Sequence, residues 1–142
     1  MIDLISMGSE IPVSKLIISA KKAYENAYAP YSNFRVGVAL VSKKGNIYTG
    51  CNVEFVDYLA LHAELNAIGS AVNSGETDII TVVVYSSCSP PVLPCGSCRQ
   101  KLLEFSKLHD HDITIIAVNN NDEKIKHLLS DLLPFGNIPV EK

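Results

Sequence analysis

Ile79-Ile80-Thr81-Val82-Val83-Val84-Tyr85 is a nearly unbroken run of β-branched and aromatic residues, the composition of a strand. A strand without polar alternation is covered on both faces, as in a sheet lying between helices. Upstream, Val36-Gly37-Val38-Ala39-Leu40-Val41 is a second such run, Lys43-Lys44-Gly45-Asn46 a hairpin turn, and Ile47 to Val53 the returning strand. Downstream, Ile113 to Val118 is another buried strand, and Lys124 to His127 a short edge strand after the turn Asn119-Asn120-Asn121-Asp122. Between the strands the apolar period changes to that of a helix. Ser14 caps a helix over 14–28, closed by Pro30. Leu61, Leu65, Ile68, Ala71 and Val72 mark a second over 61–72, with Gly75 as its stop. A third runs from Cys95 to about Lys107, and Leu128 to Leu133 forms a short helical turn. The order α-β-β-α-β-α-β with a late edge strand predicts an α/β fold. It is a three-layer α/β/α sandwich around a mixed, mostly parallel sheet of about five strands.

At 142 residues the chain is expected to form a single domain over 1–142, with a loose lead-in at 1–12 and a tail at 134–142. A hydrophobic fraction of 47% against 19% charged residues is enough to bury a core. With a net charge of −3 and no basic run longer than Lys43-Lys44, a nucleic-acid partner is not expected. No apolar stretch approaches the ~18 residues of a membrane span. The acidic N-terminal residues Asp3 and Glu10 do not suit a signal peptide. The four cysteines lack the pattern of a disulfide framework, which points to a reducing, cytoplasmic setting.

Two motifs carry the chemistry. Leu61-His62-Ala63-Glu64-Leu65 contains H-x-E, and Pro94-Cys95-Gly96-Ser97-Cys98 is P-C-x-x-C. Catalytic zinc takes three protein ligands and keeps one position open for water, and it favours imidazole and thiolate. His62, Cys95 and Cys98 provide that set. Cys95 and Cys98, three apart after a proline, fall in a first helical turn, where orphan amides and the helix dipole favour thiolates. Glu64 stands about 200° around a helix from His62 at ~100° per residue, so it serves as a proton shuttle rather than a fourth ligand. Two thiolates neutralise the ion, whose Lewis acidity activates water at neutral pH. A structural four-cysteine site with Cys51 and Cys88 is the competing reading. Those two lack the paired spacing of a zinc ribbon.

H-x-E followed by P-C-x-x-C is similar to the signature of the zinc nucleobase deaminases. From about Tyr24 to Pro134 the sequence resembles the cytidine deaminase family, in particular its short, single-domain, tetrameric branch. Ala29-Pro30-Tyr31-Ser32-Asn33-Phe34-Arg35-Val36-Gly37 looks like the family's P-Y-S-x-F-x-V-G, and Gly50-Cys51-Asn52-Val53-Glu54 like its G-x-N-V-E. The ending Arg99-Gln100 favours this family over the tRNA adenosine deaminases. The resemblance implies hydrolytic deamination of cytidine or deoxycytidine in pyrimidine salvage, with one Zn2+ per subunit and a homotetramer. It implies that Asn52 and Glu54 hold the ribose hydroxyls, Phe34 packs against the nucleoside, and the backbone of Ala63 reads the base. It also implies that Glu64 shuttles protons and that Tyr58 reaches a neighbouring subunit's site.

Three positions depart from the family pattern. Short tetrameric members usually place Cys where this chain has His62, with an Arg after the Glu where this chain has Leu65. The two exchanges offset each other in charge. The stretch between Glu54 and His62 is one residue shorter than usual, with Phe55 in place of Asn. The aromatic expected three residues after L-L-P is Asn137, with Phe135 two positions earlier. Blasticidin S deaminase shares the scaffold and a Leu after the Glu, so another nucleoside is the alternative substrate. A non-catalytic zinc-stabilised module and a nucleic-acid editor are more distant alternatives. His109-Asp110-His111-Asp112 reads as a solvated loop, His127 as an edge-strand surface residue, and Tyr24, Tyr28 and Tyr31 as helix-packing and oligomer-interface residues.

Overall fold

The computed structural model describes residues 11–139. Most of the expected lead-in and the last three residues of the tail lie outside them. Helix α1 spans Val13–Glu25, with Pro12 in the cap position. A proline lacks only an amide that would have no helical partner there, so the helix begins one residue earlier than Ser14. It stops short of residue 28 because the Tyr28 backbone is already paired. Its amide donates to the Asn52 carbonyl at 3.0 Å, and its carbonyl accepts from Glu54 at 2.8 Å.

Strands β1 (Gly37–Ser42) and β2 (Ile47–Cys51) form the expected hairpin. Two short strands, β3 (Val53–Glu54) and β4 (Ala60–Leu61), pair as a small separate ribbon. Helix α2 (Ala63–Asn73), β5 (Ile79–Ser86), α3 (Gly96–Leu108), β6 (Thr114–Asn119), β7 (Lys124–Leu128) and α4 (Leu129–Leu132) complete the order. The main sheet is β2-β1-β5-β6-β7. It is mixed and five-stranded, as expected.

The expectation of a mostly parallel sheet is corrected. Only β5 and β6 pair in parallel; β1 runs antiparallel to both β2 and β5, and β7 antiparallel to β6. The helical crossovers do join strands of one direction, as parallel connections require. β2, β5 and β6 all point the same way. What the sequence order hides is that β1 inserts between β2 and β5, and that the tight turn before β7 forces a hairpin.

Both faces of the sheet are covered. Ala39, Val41, Val83, Tyr85, Ile116 and Val118 pack with Leu16 and Ala20 of α1. On the other face, Val38, Leu40, Val82, Val84 and Ile115 pack with Ala67, Ile68, Leu102 and Leu129 of the remaining helices. The alternation breaks once in β5. The register shifts between Val41↔Thr81 and Ser42↔Ile79, so Ile80 is the extra residue of a bulge. It turns to the α1 face beside Val83.

Two glycines set the distance between the layers. A Cβ on Gly37 would lie 2.1 Å from the Ala20 carbonyl oxygen of α1. A Cβ on Gly50 would lie 2.4 Å from the Ala67 nitrogen and 2.5 Å from the Ala63 oxygen of α2. These are the glycines of the two quoted N-terminal motifs, and each lets a helix backbone touch a strand.

Candidate active site

Because β2 and β5 run the same way, their carboxyl ends deliver α2 and α3 to one end of the sheet, where open α/β sheets place their sites. β1 begins at that end too, with Gly37 opposite Tyr85. The segment before β1, residues 31–36, therefore overhangs the same place.

His62 is the N-cap of α2 and Cys95 the N-cap of α3. Both have extended backbones, with φ/ψ of −72°/151° and −66°/170°. Cys98 lies in the first turn of α3 and is fully buried. The His62 Nδ1 is 3.4 Å from the Cys95 Sγ and 3.3 Å from the Cys98 Sγ. Among the described residues, these three form the one group of such side chains whose ligand atoms all lie within 4.8 Å of each other.

The donor set fits zinc. With Zn–N near 2.0–2.1 Å and Zn–S near 2.3 Å, tetrahedral angles put nitrogen and sulfur about 3.6 Å apart. The observed spacings are a few tenths shorter. Among the described residues no fourth side chain joins the set, and a catalytic site takes three protein ligands. Burial pushes the Cys98 thiol up, and Glu64 and Cys95 beside it push the same way. A divalent cation at the shared centre favours the opposite, ionised state.

Glu64 is in the first turn of α2 and only 6% exposed. Its helical position separates it from His62, which stands outside the helix, and it does not join the ligand set.

These residues open onto a pocket of about 240 Å3. His62, Ala63, Glu64 and Cys95 line it together with Phe34, Asn52 and Glu54. So seven of the sequence-predicted site residues share one cavity, and Cys98 sits behind it. Tyr58 does not reach it. It is 98% exposed, with a left-handed φ of 69°.

Asn52 and Glu54 are not loose strand-end polars. Asn52 accepts the Val36 amide through Oδ1 at 2.8 Å and donates from Nδ2 to the Phe34 carbonyl at 2.7 Å. Glu54 accepts the Tyr31 and Ser32 amides through Oε1 at 2.9 and 3.1 Å. The Ser32 hydroxyl, then the two amides, hold its carboxyl below the usual range against the opposing effect of burial.

Sequence reasoning missed Ser32, Val84, Val92 and Leu93 as lining residues. Val92 and Leu93 had a signal: apolar residues in a loop directly before Pro94. The reading of residues 109–112 as a solvated loop also changes. His111 contacts Asp78 at 2.5 Å, and His109 lies 3.6 Å from the same carboxylate.

Residues 12–121 match the model of the cytidine and deoxycytidylate deaminase zinc-binding region. A cytidine deaminase of Sporosarcina psychrophila is 46% identical over 94 residues, covering 66% of this chain and 69% of its own. One from Halalkalibacterium halodurans is 38% identical over 120 residues, covering 84% and 89%. Among solved structures, the cytidine deaminase of Burkholderia pseudomallei superposes with a TM-score of 0.83 at 37% identity. That match covers 89% of this chain and all of the other. The fold and the His/Cys/Cys centre define a zinc-dependent hydrolytic deaminase. The chain belongs to the cytidine deaminase family.

Proposed function

We propose that this chain, acting as one domain, deaminates cytidine and deoxycytidine to uridine and deoxyuridine, releasing ammonia, in pyrimidine salvage. The observation that carries this is the convergence of His62, Cys95 and Cys98 beside Glu64 at the base of a pocket walled by Phe34, Asn52 and Glu54. His62 and the two cysteines would hold one zinc ion per subunit; when bound, the ion would supply Lewis-acid activation of water.

Glu64 takes the proton of the attacking water and returns it to the ring nitrogen. It carries the second proton to the amino group as the C–N bond breaks and ammonia leaves. Ala63 is the first residue of α2, and the first amides of a helix have no intrahelical partner. That position supports a base-reading role for its N–H. Phe34 packs against the nucleoside. One Nδ2 hydrogen of Asn52 is held by Phe34, and an amide carries two, so the other is available to a sugar hydroxyl beside Glu54.

The assembly is a cytoplasmic homotetramer. Phe55, Val56, Tyr58 and Leu59 form an exposed apolar loop between Glu54 and His62, a surface that a neighbouring subunit covers. Among the described residues no helix is long and apolar enough to cross a membrane. A monomer in sedimentation would contradict the tetramer.

Ammonia release from cytidine, deoxycytidine and blasticidin S, compared at equal concentration, tests the substrate. Preference for cytidine and deoxycytidine is expected. Leu65 lies in a groove between α2 and α3 and does not line the substrate pocket, so it gives no support to the blasticidin reading. Turnover of blasticidin S alone would overturn the assignment.

A further inference from the structure

We propose that Ser32 is a positioning residue for this site, locking the Glu54 carboxylate in the orientation that receives a sugar hydroxyl and thereby setting nucleoside affinity. This deepens, and rests on, the reading of Glu54 as a sugar ligand.

The hydrogen bonds assign the direction. The Ser32 Oγ accepts the Phe34 amide at 3.0 Å and lies 2.5 Å from Glu54 Oε2. A hydroxyl has one proton. With Phe34 donating to the oxygen, that proton goes to the carboxylate. Oε1 is already taken by the Tyr31 and Ser32 amides. Two consecutive residues therefore supply three donors, one set on each carboxylate oxygen, and the group can neither rotate nor swing away. A carboxylate offers about four acceptor sites, so roughly one remains, facing the pocket that both side chains line. Because Glu54 stays ionised it can only accept, which suits a sugar hydroxyl and excludes another acceptor.

The turn carrying Ser32 is itself fixed. Asn33 adopts a left-handed φ of 56°, and its amide donates to the Ala29 carbonyl at 2.9 Å. On the far side, Asn52 grips Phe34 and Val36. Among the described residues, Ser32 is thus the one side chain joining the backbone under Phe34 to the carboxylate. Without its hydroxyl, Oε2 has no hold from this turn and the Phe34 amide loses its acceptor. Both sides of the sugar subsite loosen, while His62, Cys95, Cys98 and Glu64 keep their own supports in α2 and α3.

The test is steady-state kinetics of Ser32→Ala, Ser32→Thr and Glu54→Gln on cytidine, deoxycytidine and 2′,3′-dideoxycytidine, with zinc content measured for each. For Ser32→Ala the expected result is a KM raised about tenfold for cytidine and deoxycytidine, the loss of one charge-assisted hydrogen bond. Its kcat should stay within about twofold, and KM for the dideoxy substrate should rise clearly less than KM for cytidine. Ser32→Thr, which keeps the hydroxyl, restores the wild-type KM. An unchanged KM in Ser32→Ala overturns the proposal, as does an equal rise on the dideoxy substrate. Glu54→Gln separates the two layers. If it leaves KM for cytidine unchanged, the sugar-ligand reading fails. If it raises KM while Ser32→Ala does not, that reading stands and the positioning role falls.

Discussion

Cys98 is fully buried, and its thiol is pushed up by burial and by its acidic neighbours. A bare thiolate there is unfavourable, and a divalent cation bound at the sulfur would reverse the balance. His62 and Cys95 are exposed caps and would hold the ion together with Cys98. Cys98→Ala removes the inner ligand and leaves two. Zinc content by atomic absorption is expected to fall from about one ion per subunit to near zero after dialysis, since structural and catalytic sites need three or four ligands. Full zinc retention in Cys98→Ala would show that the ligand set is different. The cluster of His62, Cys95 and Cys98 was legible in the sequence because a metal demands these residue types at these spacings. The bond between Ser32 and Glu54 was not, because the two stand in separate motifs 22 positions apart and neither motif names its partner.

At the scale of elements, the site depends on how closely α2 lies on β2. Gly50 allows that approach, and Asn66 fastens it by donating to the Cys51 carbonyl at 2.6 Å. In Gly50→Ala the new methyl meets backbone atoms of Ala63 and Ala67, which cannot move aside as a side-chain tip would. A loss of about 1–3 kcal/mol in urea unfolding is expected, with activity falling further because Ala63 and Glu64 shift with the helix. Wild-type stability in this variant would refute the close-contact role. The existence and type of the main helices and strands were readable from period and composition. The positions of strand neighbours were not. The β-branched run of β5 fits a buried strand whether its neighbour is parallel or antiparallel, so the sequence could not reveal that β1 inserts beside it. The end of α1 was also hidden, since the pairing of Tyr28 with the β2–β3 backbone competes with helix only in three dimensions.

Across the whole molecule, chemistry and clamping occupy opposite ends of the sheet. At the end away from the pocket, Glu76 accepts from Ser42 at 2.6 Å, from Asn46 at 2.7 Å and from Tyr48. Nearby, Asp78 before β5 meets His111 before β6, and His109, the C-cap of α3. His111 Nδ1 faces the Asp112 carbonyl at 2.9 Å, and Nε2 faces the Asp78 carboxylate. Burial alone would lower its pKa, and Lys43 adds to that. The Asp112 carbonyl and Asp78 outweigh both, and the net direction is up. A raised folded-state pKa stabilises fully below the unfolded value of about 6.5, and the contribution is lost as pH rises through the folded value. The thermal midpoint of the wild type is therefore expected to fall from pH 6 towards pH 9 more steeply than that of His111→Gln. Parallel profiles would remove the clamp from the stability of the fold.

The most direct test is ammonia release from cytidine by wild type and Glu64→Gln at matched zinc content. Loss of the proton shuttle predicts a kcat lower by roughly 10²–10⁴, with zinc still bound and KM little changed. Equal rates in the two proteins would contradict the role of Glu64, and no release by the zinc-loaded wild type would contradict cytidine deamination itself.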